Sequence, residues 1–449
     1  MTRIRGYIGV AAAVLVVGLI AALLTRGVAN RSGTGAGSGA TPTPGPVGTP
    51  TLQPSNQNWQ PSMLPVVAPS DPATVYKLGS NTLLRSSDGG KTYATESLPT
   101  TDLTSVDDAS LAVSPLGANT VFVTMSGRKD GQDCMPTQPY PATAMHGGID
   151  ASGYVPCSEQ YMSVDGGHTW TRPTLPVKGV FGSVSMMREQ QSVIGTQSYV
   201  FQAQGQRIYA AMGYGVQSGA IMASEAVRLV ASDDGGLTWR LIDSQLASAT
   251  QFVCDFAAAP SSSTVYAVVE GQSCGNESFP SMTLWRSANG GQSWTRVRTL
   301  PTNVESGFVV GDNGELYIYM HQVSVSSNAA TGTESPADAM VSLDGGATFS
   351  SAPSSGLPAK ATLMGPLGVL SDGSVIYAAV SPGPEAGQST VGVYTWKKGN
   401  GAWTNIVHPS ATMSVAAVTV TPPATGATTQ AVSIISETGV VSTVQIAIG

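Results

Sequence analysis

The side chains best equipped for chemistry in this sequence are acids and aromatics in its least regular stretches. Asp130, Asp133, Asp150, Glu159, Glu225, Glu270, Glu277 and Asp338 are carboxylates of the type that work in pairs across a cleft in glycoside hydrolysis. No motif raises one of them above the others, so no catalytic residue is assigned. Tyr140, His146, Tyr154, Tyr214 and His321 offer rings on which a sugar or a peptide can stack, and they form the candidate binding set. No phosphate loop, GxSxG or HExxH is present. The histidines His146, His168, His321 and His408 are scattered and the cysteines lack CxxC spacing, so no metal and no cofactor is expected.

What must position these residues is a repeat. Ser-x-Asp-Gly-Gly-x-Thr-Trp occurs five times with small changes: Ser86 to Tyr93, Ser163 to Trp170, Ser232 to Trp239, Ser287 to Trp294 and Ser342 to Phe349. An apolar run precedes each copy and a polar-apolar alternation follows it, which is the context of a β-hairpin turn. The Asp or Asn oxygen can take backbone N–H groups downstream, two glycines supply positive φ, and the closing aromatic starts the outgoing strand.

The repeat resembles the Asp-box, or bacterial neuraminidase repeat, of a large group that includes sialidases, some endoglucanases, the sortilin ectodomain and the photosystem II assembly-factor family. The resemblance spans residues 64 to 408 and implies an all-β fold, a single β-propeller. It also implies that the Asp-boxes lie away from the central pocket and are structural, since fold does not fix function. A sialidase-like site would need an arginine triad, and the group's Phe/Tyr-Arg-Ile-Pro string is absent. The nearest, Gln206-Arg207-Ile208-Tyr209, lacks the proline and reads as the start of a strand.

The key positions of the five copies, 88, 165, 234, 289 and 344, are 77, 69, 55 and 55 residues apart, so the first two intervals carry insertions into blades of ordinary length. A sixth unit, Tyr394 to Trp403, keeps the hairpin and the Trp but not the Asp. Three strands after it, Val415 to Val420, Ala431 to Ile435 and Val440 to Ile448, make a seventh blade or join a strand near Met63 to Ala68. Seven blades are favoured over six. If the repeat joins third and fourth strands, the second-to-third connections open on the opposite face. Those connections vary in length, at 127–160, 213–225, 270–281, 321–336 and 381–390, which marks that side as the working face.

Residues 1–6 form a short tail, and the apolar run 7–24 is long enough for a transmembrane anchor or an uncleaved signal. Residues 25–62 form a linker: from Ser32 to Ser62, 21 of 31 residues are Gly, Pro, Ser or Thr and none is charged. Such a composition reads as a disordered spacer. Residues 63–449 are the propeller, with 17 basic against 28 acidic side chains, which argues against nucleic acid. Cys134 with Cys157 and Cys254 with Cys274 are the proximity pairings among the three connectivities open to four cysteines, and either would suit an oxidising compartment.

The expectation is therefore a single-pass cell-membrane protein with a monomeric head outside the cytoplasm, or a secreted one after signal cleavage. The head binds a protein or a cell-surface glycan and is non-catalytic; the alternative is an exo-acting glycoside hydrolase.

Overall fold

Short β-branched runs broken by glycine turns fold here as antiparallel hairpins, each sheet built in chain order. The computed structural model describes residues 64–128, 157–176, 200–202, 207–217, 223–246, 252–259, 262–270, 282–300, 304–311, 314–322, 338–382, 389–410, 415–436 and 438–448. The first blade holds β1 (Val66–Ala68), β2 (Asp71–Leu78), β3 (Thr82–Ser86) and β4 (Ala94–Ser97); the second holds β5 (Ser105–Val113), β6 (Val121–Arg128) and β7 (Cys157–Ser163). In the second blade the outer strand is reduced to a bridge between Met162 and Thr171. The third contains β8 (Val200–Gln202), β9 (Ile208–Gln217), β10 (Ala223–Ser232) and β11 (Arg240–Leu241); the fourth β12 (Phe252–Ala258), β13 (Val265–Glu270), β14 (Thr283–Ser287) and β15 (Thr295–Thr299). The fifth contains β16 (Val304–Val310), β17 (Leu316–Gln322), β18 (Asp338–Ser342) and β19 (Ser350–Ser351); the sixth β20 (Thr362–Val369), β21 (Val375–Pro382), β22 (Ser389–Trp396) and β23 (Thr404–Ser410). The seventh contains β24 (Ala417–Val420), β25 (Thr429–Ile435) and β26 (Val441–Ala447).

Second strands are buried on both faces, because each blade is covered by a neighbour on either side. Val265, Tyr266, Ala267, Val268 and Val269 are all at most 1% exposed. One tyrosine per blade occupies the same place in five of these strands, and Tyr76, Tyr209, Tyr266, Tyr317 and Tyr377 are fully buried. A separate apolar core fills each seam: Tyr76 with Val123, Phe122 with Trp239, Leu229 with Trp294, Tyr266 with Ile318, Tyr317 with Trp396, Ile376 with Val432, and Val75 with Ile435. The last of these joins the seventh blade to the first. Among the described residues the seams run once round and close, which makes the chain an all-β, seven-bladed β-propeller and leaves sheet edges only at the rim.

Two expectations change in detail. The strand at Val66–Ala68 does not complete the seventh blade: it is the innermost strand of the first, paired with β2 through Val66↔Tyr76. Several stretches read as loops are extensions of hairpins. Tyr214 lies within β9 opposite Ala226, and His321 within β17 opposite Glu305. Pairing with β10 carries the ladder through Gly213 and Gly215, so the hairpin extends past Tyr214. Among the described residues no helix is long and apolar enough to cross a membrane, and the run 7–24 lies outside them.

Candidate functional site

The propeller has two faces, and their chemistry differs. On one face sit the repeat turns, each closing third strand to fourth. In each the serine is buried and donates its hydroxyl to the side chain two residues on, as Ser163 Oγ does to Asp165 Oδ1 at 2.7 Å. The same hydroxyl accepts the second glycine's N–H, with Gly167 N to Ser163 Oγ at 2.8 Å. The carboxylate then takes both donors of the following threonine, Thr169 N at 2.9 Å and Thr169 Oγ1 at 2.6 Å. The turns at Asp88, Asp234 and Asp344 repeat this pattern. Threonine hydroxyl and amide donors hold Asp344 at about 2 and keep Asp88 and Asp165 well below the usual carboxylate range. In the fourth blade Asn289 substitutes with one bond reversed, its Nδ2 donating to Ser293 Oγ at 2.8 Å.

Each of these carboxylates accepts three or four bonds within its own turn, which holds it ionised and makes it a poor base for a substrate proton. Their glycines are engaged as well. The first glycine of a turn donates to the start of the second strand or the turn before it in its own blade: Gly89 to Ala73 O in β2, Gly166 to Asn119 O and Gly290 to Ser263 O, each at 2.8 Å. The second lies against the preceding blade, where a Cβ on Gly167, Gly236, Gly291 or Gly346 would come within 2.7 Å of Leu83 or 2.5 Å of Phe122, Ile242 or Leu284. The closing tryptophans reach back over the same seams. Trp170 Nε1 donates to Ser97 O at 2.9 Å, and Trp294 and Trp403 donate to Ile242 O and Pro353 O at 2.6 Å. Arg207, the nearest match to a substrate-binding arginine, is tied to Asp233, which Arg240 also contacts at 3.2 Å.

The opposite face carries the second-to-third-strand connections and the links between blades. Of the candidate binding set, Tyr140, His146 and Tyr154 lie outside the described residues, as do Asp130, Asp133, Asp150 and Glu277. Tyr214 and His321 stand on strands that run to this face, in the third and fifth blades, so the structure does not bring the two onto one element. Cys157 opens β7 and Cys254 lies at a register shift in β12, while Cys134 and Cys274 lie outside the described residues.

Glu159 is the one expected loop acid with a described environment, and it is locked. Its Oε2 accepts from Tyr161 Oη at 2.5 Å, Thr101 Oγ1 at 2.6 Å, Asp102 N at 3.1 Å and an Arg172 guanidinium nitrogen at 3.1 Å. Burial and then the Glu159 bond push the Tyr161 hydroxyl up to about 12. A carboxylate oxygen shared by four donors is a poor general base, and this cluster ties the link between the first two blades to β7. Blade four has a neutral counterpart in Trp285 Nε1 donating to Thr283 Oγ1 at 2.9 Å.

Acids that the pattern of loops did not suggest stand on the innermost strands. Asp107 and Asp108 are on β5, Asp255 on β12 and Glu305 on β16. The ladder shifts register between Val106 and Asp108, and between Val253 and Asp255. A bulge re-aims the strand around it and favours functional rims. The signal was present as an acid breaking an apolar first strand, in Val106-Asp107-Asp108-Ala109 and Val253-Cys254-Asp255-Phe256.

No protein-family model matches the chain, and no curated protein matches it. Solved structures do. A GH74 xyloglucanase from Xanthomonas campestris is 12% identical over 83% of this chain and 50% of its own, with a TM-score of 0.46. The chain thus spans half the length of that enzyme. YCF48 bound to D1 peptide is 12% identical over 84% of this chain and 94% of its own, with a TM-score of 0.42. A PL25 ulvan lyase is 8% identical over 85% and 93%, with a TM-score of 0.44. At such identities the likeness is one of architecture, and no argument about this chain's chemistry rests on it.

Proposed function

We propose that this chain is an extracytoplasmic, membrane-tethered β-propeller that binds a partner through the face opposite the repeat turns and does so without catalysis. The supporting observation is the contrast between the faces. The repeat-turn face spends its carboxylates, glycines and tryptophans on its own turns and seams. The other face emits connections of unequal length, from Leu78–Thr82 to Arg128–Cys157. Conserving one rim while varying the other is how a scaffold presents a recognition surface. The resemblance to Asp-box proteins fits the same architecture. The tether is the apolar run 7–24, followed by the uncharged spacer, and the partner is a protein or a cell-surface glycan that stacks on the ring side chains of the loop face.

One observation favours a second reading, a glycoside hydrolase: Asp108, Asp255 and Glu305 stand on first strands that surround the axis, where a carboxylate pair would need to be. A panel of fluorogenic glycosides, sialosides included, separates the two. The binding reading expects no turnover by the folded full-length chain, and it expects Tyr214→Ala or His321→Ala to weaken retention on cell-envelope glycans or proteins. Turnover abolished by Asp108→Asn, Asp255→Asn or Glu305→Gln would replace it with the hydrolase.

A further inference from the structure

Two described asparagines precede glycine, and the structure treats them in opposite ways. Asn289-Gly290 is inside the fourth repeat turn; Asn400-Gly401 is in the turn between β22 and β23. A glycine after asparagine leaves the backbone nitrogen unhindered, so that it can reach the side-chain carbonyl. Whether it does depends on what holds the two groups.

At Asn289 all of them are held. Oδ1 accepts from Ser287 Oγ and from Ser293 N, both at 2.9 Å, and Nδ2 donates to Ser293 Oγ at 2.8 Å. The attacking nitrogen, Gly290 N, donates to Ser263 O at 2.8 Å. Gly290 also sits at φ +69, packed under Arg207 and Tyr209 of the third blade. Reaction there requires the turn to break first.

At Asn400 none is held. The residue is exposed, and among the described residues neither its side chain nor Gly401 N–H has a hydrogen-bond partner. A Cβ on Gly401 would meet nothing within 4 Å, so the turn has room to deform. Lys397 and Lys398 precede it, with their ammonium groups on Asp372 Oδ2 at 3.4 Å and Ser350 Oγ at 2.6 Å, so neither holds the Asn400 side chain.

We infer that Asn400 is a site of spontaneous deamidation on the folded head and that the hydrogen-bonded turn around Asn289 protects the same dipeptide there. The Gly401 nitrogen, losing its proton to base, attacks Asn400 Cγ. The new C–N bond closes a cyclic imide as the Cγ–Nδ2 bond breaks and ammonia leaves with the proton. Water then opens the imide at either carbonyl, giving aspartate or isoaspartate, and the net exchange is amide and water for carboxylate and ammonium. The isoaspartyl product lengthens the backbone by one carbon beside Asn400 O, which accepts Trp396 Nε1 at 2.9 Å. Trp396 is buried at the seam of the fifth and sixth blades, so modification reaches from the surface turn into that core.

The test is to hold the full-length protein in mildly alkaline buffer, folded or in guanidinium, and to quantify acid and isoaspartyl products at both positions by peptide mass mapping. In the folded protein Asn400 is expected to convert at least about tenfold faster than Asn289, as local protection by a closed turn requires. In guanidinium the two rates converge. Gly401→Ala slows Asn400 without lowering the melting temperature, since its Cβ meets no neighbour. Equal rates in the folded protein would overturn the inference, and so would an Asn400 that converts only in guanidinium.

Discussion

Gly346 of the fifth blade lies on Leu284 of the fourth so closely that a Cβ added to it would sit 2.5 Å from Leu284 Cδ2. Its φ of +94 is a second reason for glycine. Gly235, in the third blade's turn, has the positive φ of +75 but nothing within 4 Å of an added Cβ. Gly346→Ala is therefore expected to cost about 3 kcal/mol, strain plus overpacking, and Gly235→Ala only about 1 kcal/mol of strain. Denaturant midpoints measure both. Equal losses would show that backbone strain alone, and not the seat on the neighbouring blade, holds glycine at the second position.

The turn carboxylates make stability depend on acid. A carboxyl whose folded value lies below its unfolded value, about 3.9, contributes stability that is present above the unfolded value and lost as pH falls toward the folded one. Asp344, held at about 2 by the Thr348 hydroxyl and amide, loses its share between about pH 4 and about pH 2, and Asp88 and Asp165 are held lower still. The melting temperature should fall from about pH 4 to about pH 2. Asp165→Asn with Asp344→Asn should flatten that fall and still fold, because Asn289 already fills the same place in the fourth blade. A slope unchanged by the double replacement would assign the acid loss to other carboxyls.

Glu159 and Tyr161 act as one unit with Thr101, Asp102 and Arg172. Tyr161 is 3% exposed and its ring also lies under the Arg172 guanidinium at 5.2 Å. Glu159→Gln and Tyr161→Phe should each destabilise by about 1–2 kcal/mol, and the double variant by less than their sum, with a coupling of at least about 0.5 kcal/mol. Additive losses in a thermal or denaturant cycle would mean the two side chains are stabilised separately.

The repeat was legible because its chemistry is local. Ser163, Asp165, Gly167 and Thr169 satisfy one another within seven residues, so residue type and spacing alone mark the turn, while its place between third and fourth strands comes from the sheet order. The seats of the glycines were not legible, since Leu284 or Phe122 meets them from another blade. Glu159 read as a free loop acid for the same reason: two of its donors, Thr101 and Asp102, are 58 and 57 residues away. Tyr214 and His321 fall in stretches that read as connections, and only their partner strands reveal that the ladder continues through them. Asp108 and Asp255 passed unremarked, as a carboxylate in an apolar first strand looks like an imperfection until the register shift beside it is seen.

The buried tyrosines offer the cleanest separation of packing from hydrogen bonding. Tyr317 and Tyr266 occupy equivalent places in adjacent blades and are both 1% exposed. Tyr317 Oη donates to Gly373 O at 2.5 Å, in the first-to-second-strand turn of the next blade. Tyr266 Oη has no hydrogen-bond partner among the described residues and lies beside Gly345 of the next repeat turn, with the Arg286 guanidinium 5.9 Å from its ring. Burial pushes both hydroxyls above their ordinary value, Tyr266 by direction alone and Tyr317 beyond the usual range. Tyr317→Phe removes a bond and leaves a buried carbonyl unpaired, at a cost of about 1–3 kcal/mol. Tyr266→Phe removes a hydroxyl that donates to nothing and should be neutral within about 0.5 kcal/mol. Either residue changed to Ala should cost about 3–5 kcal/mol, because the ring fills the seam itself. If Tyr266→Phe proves as costly as Tyr317→Phe under denaturant, its hydroxyl is bonded through a group such as Arg286 or an ordered water, and the seams are more uniform than their direct contacts suggest.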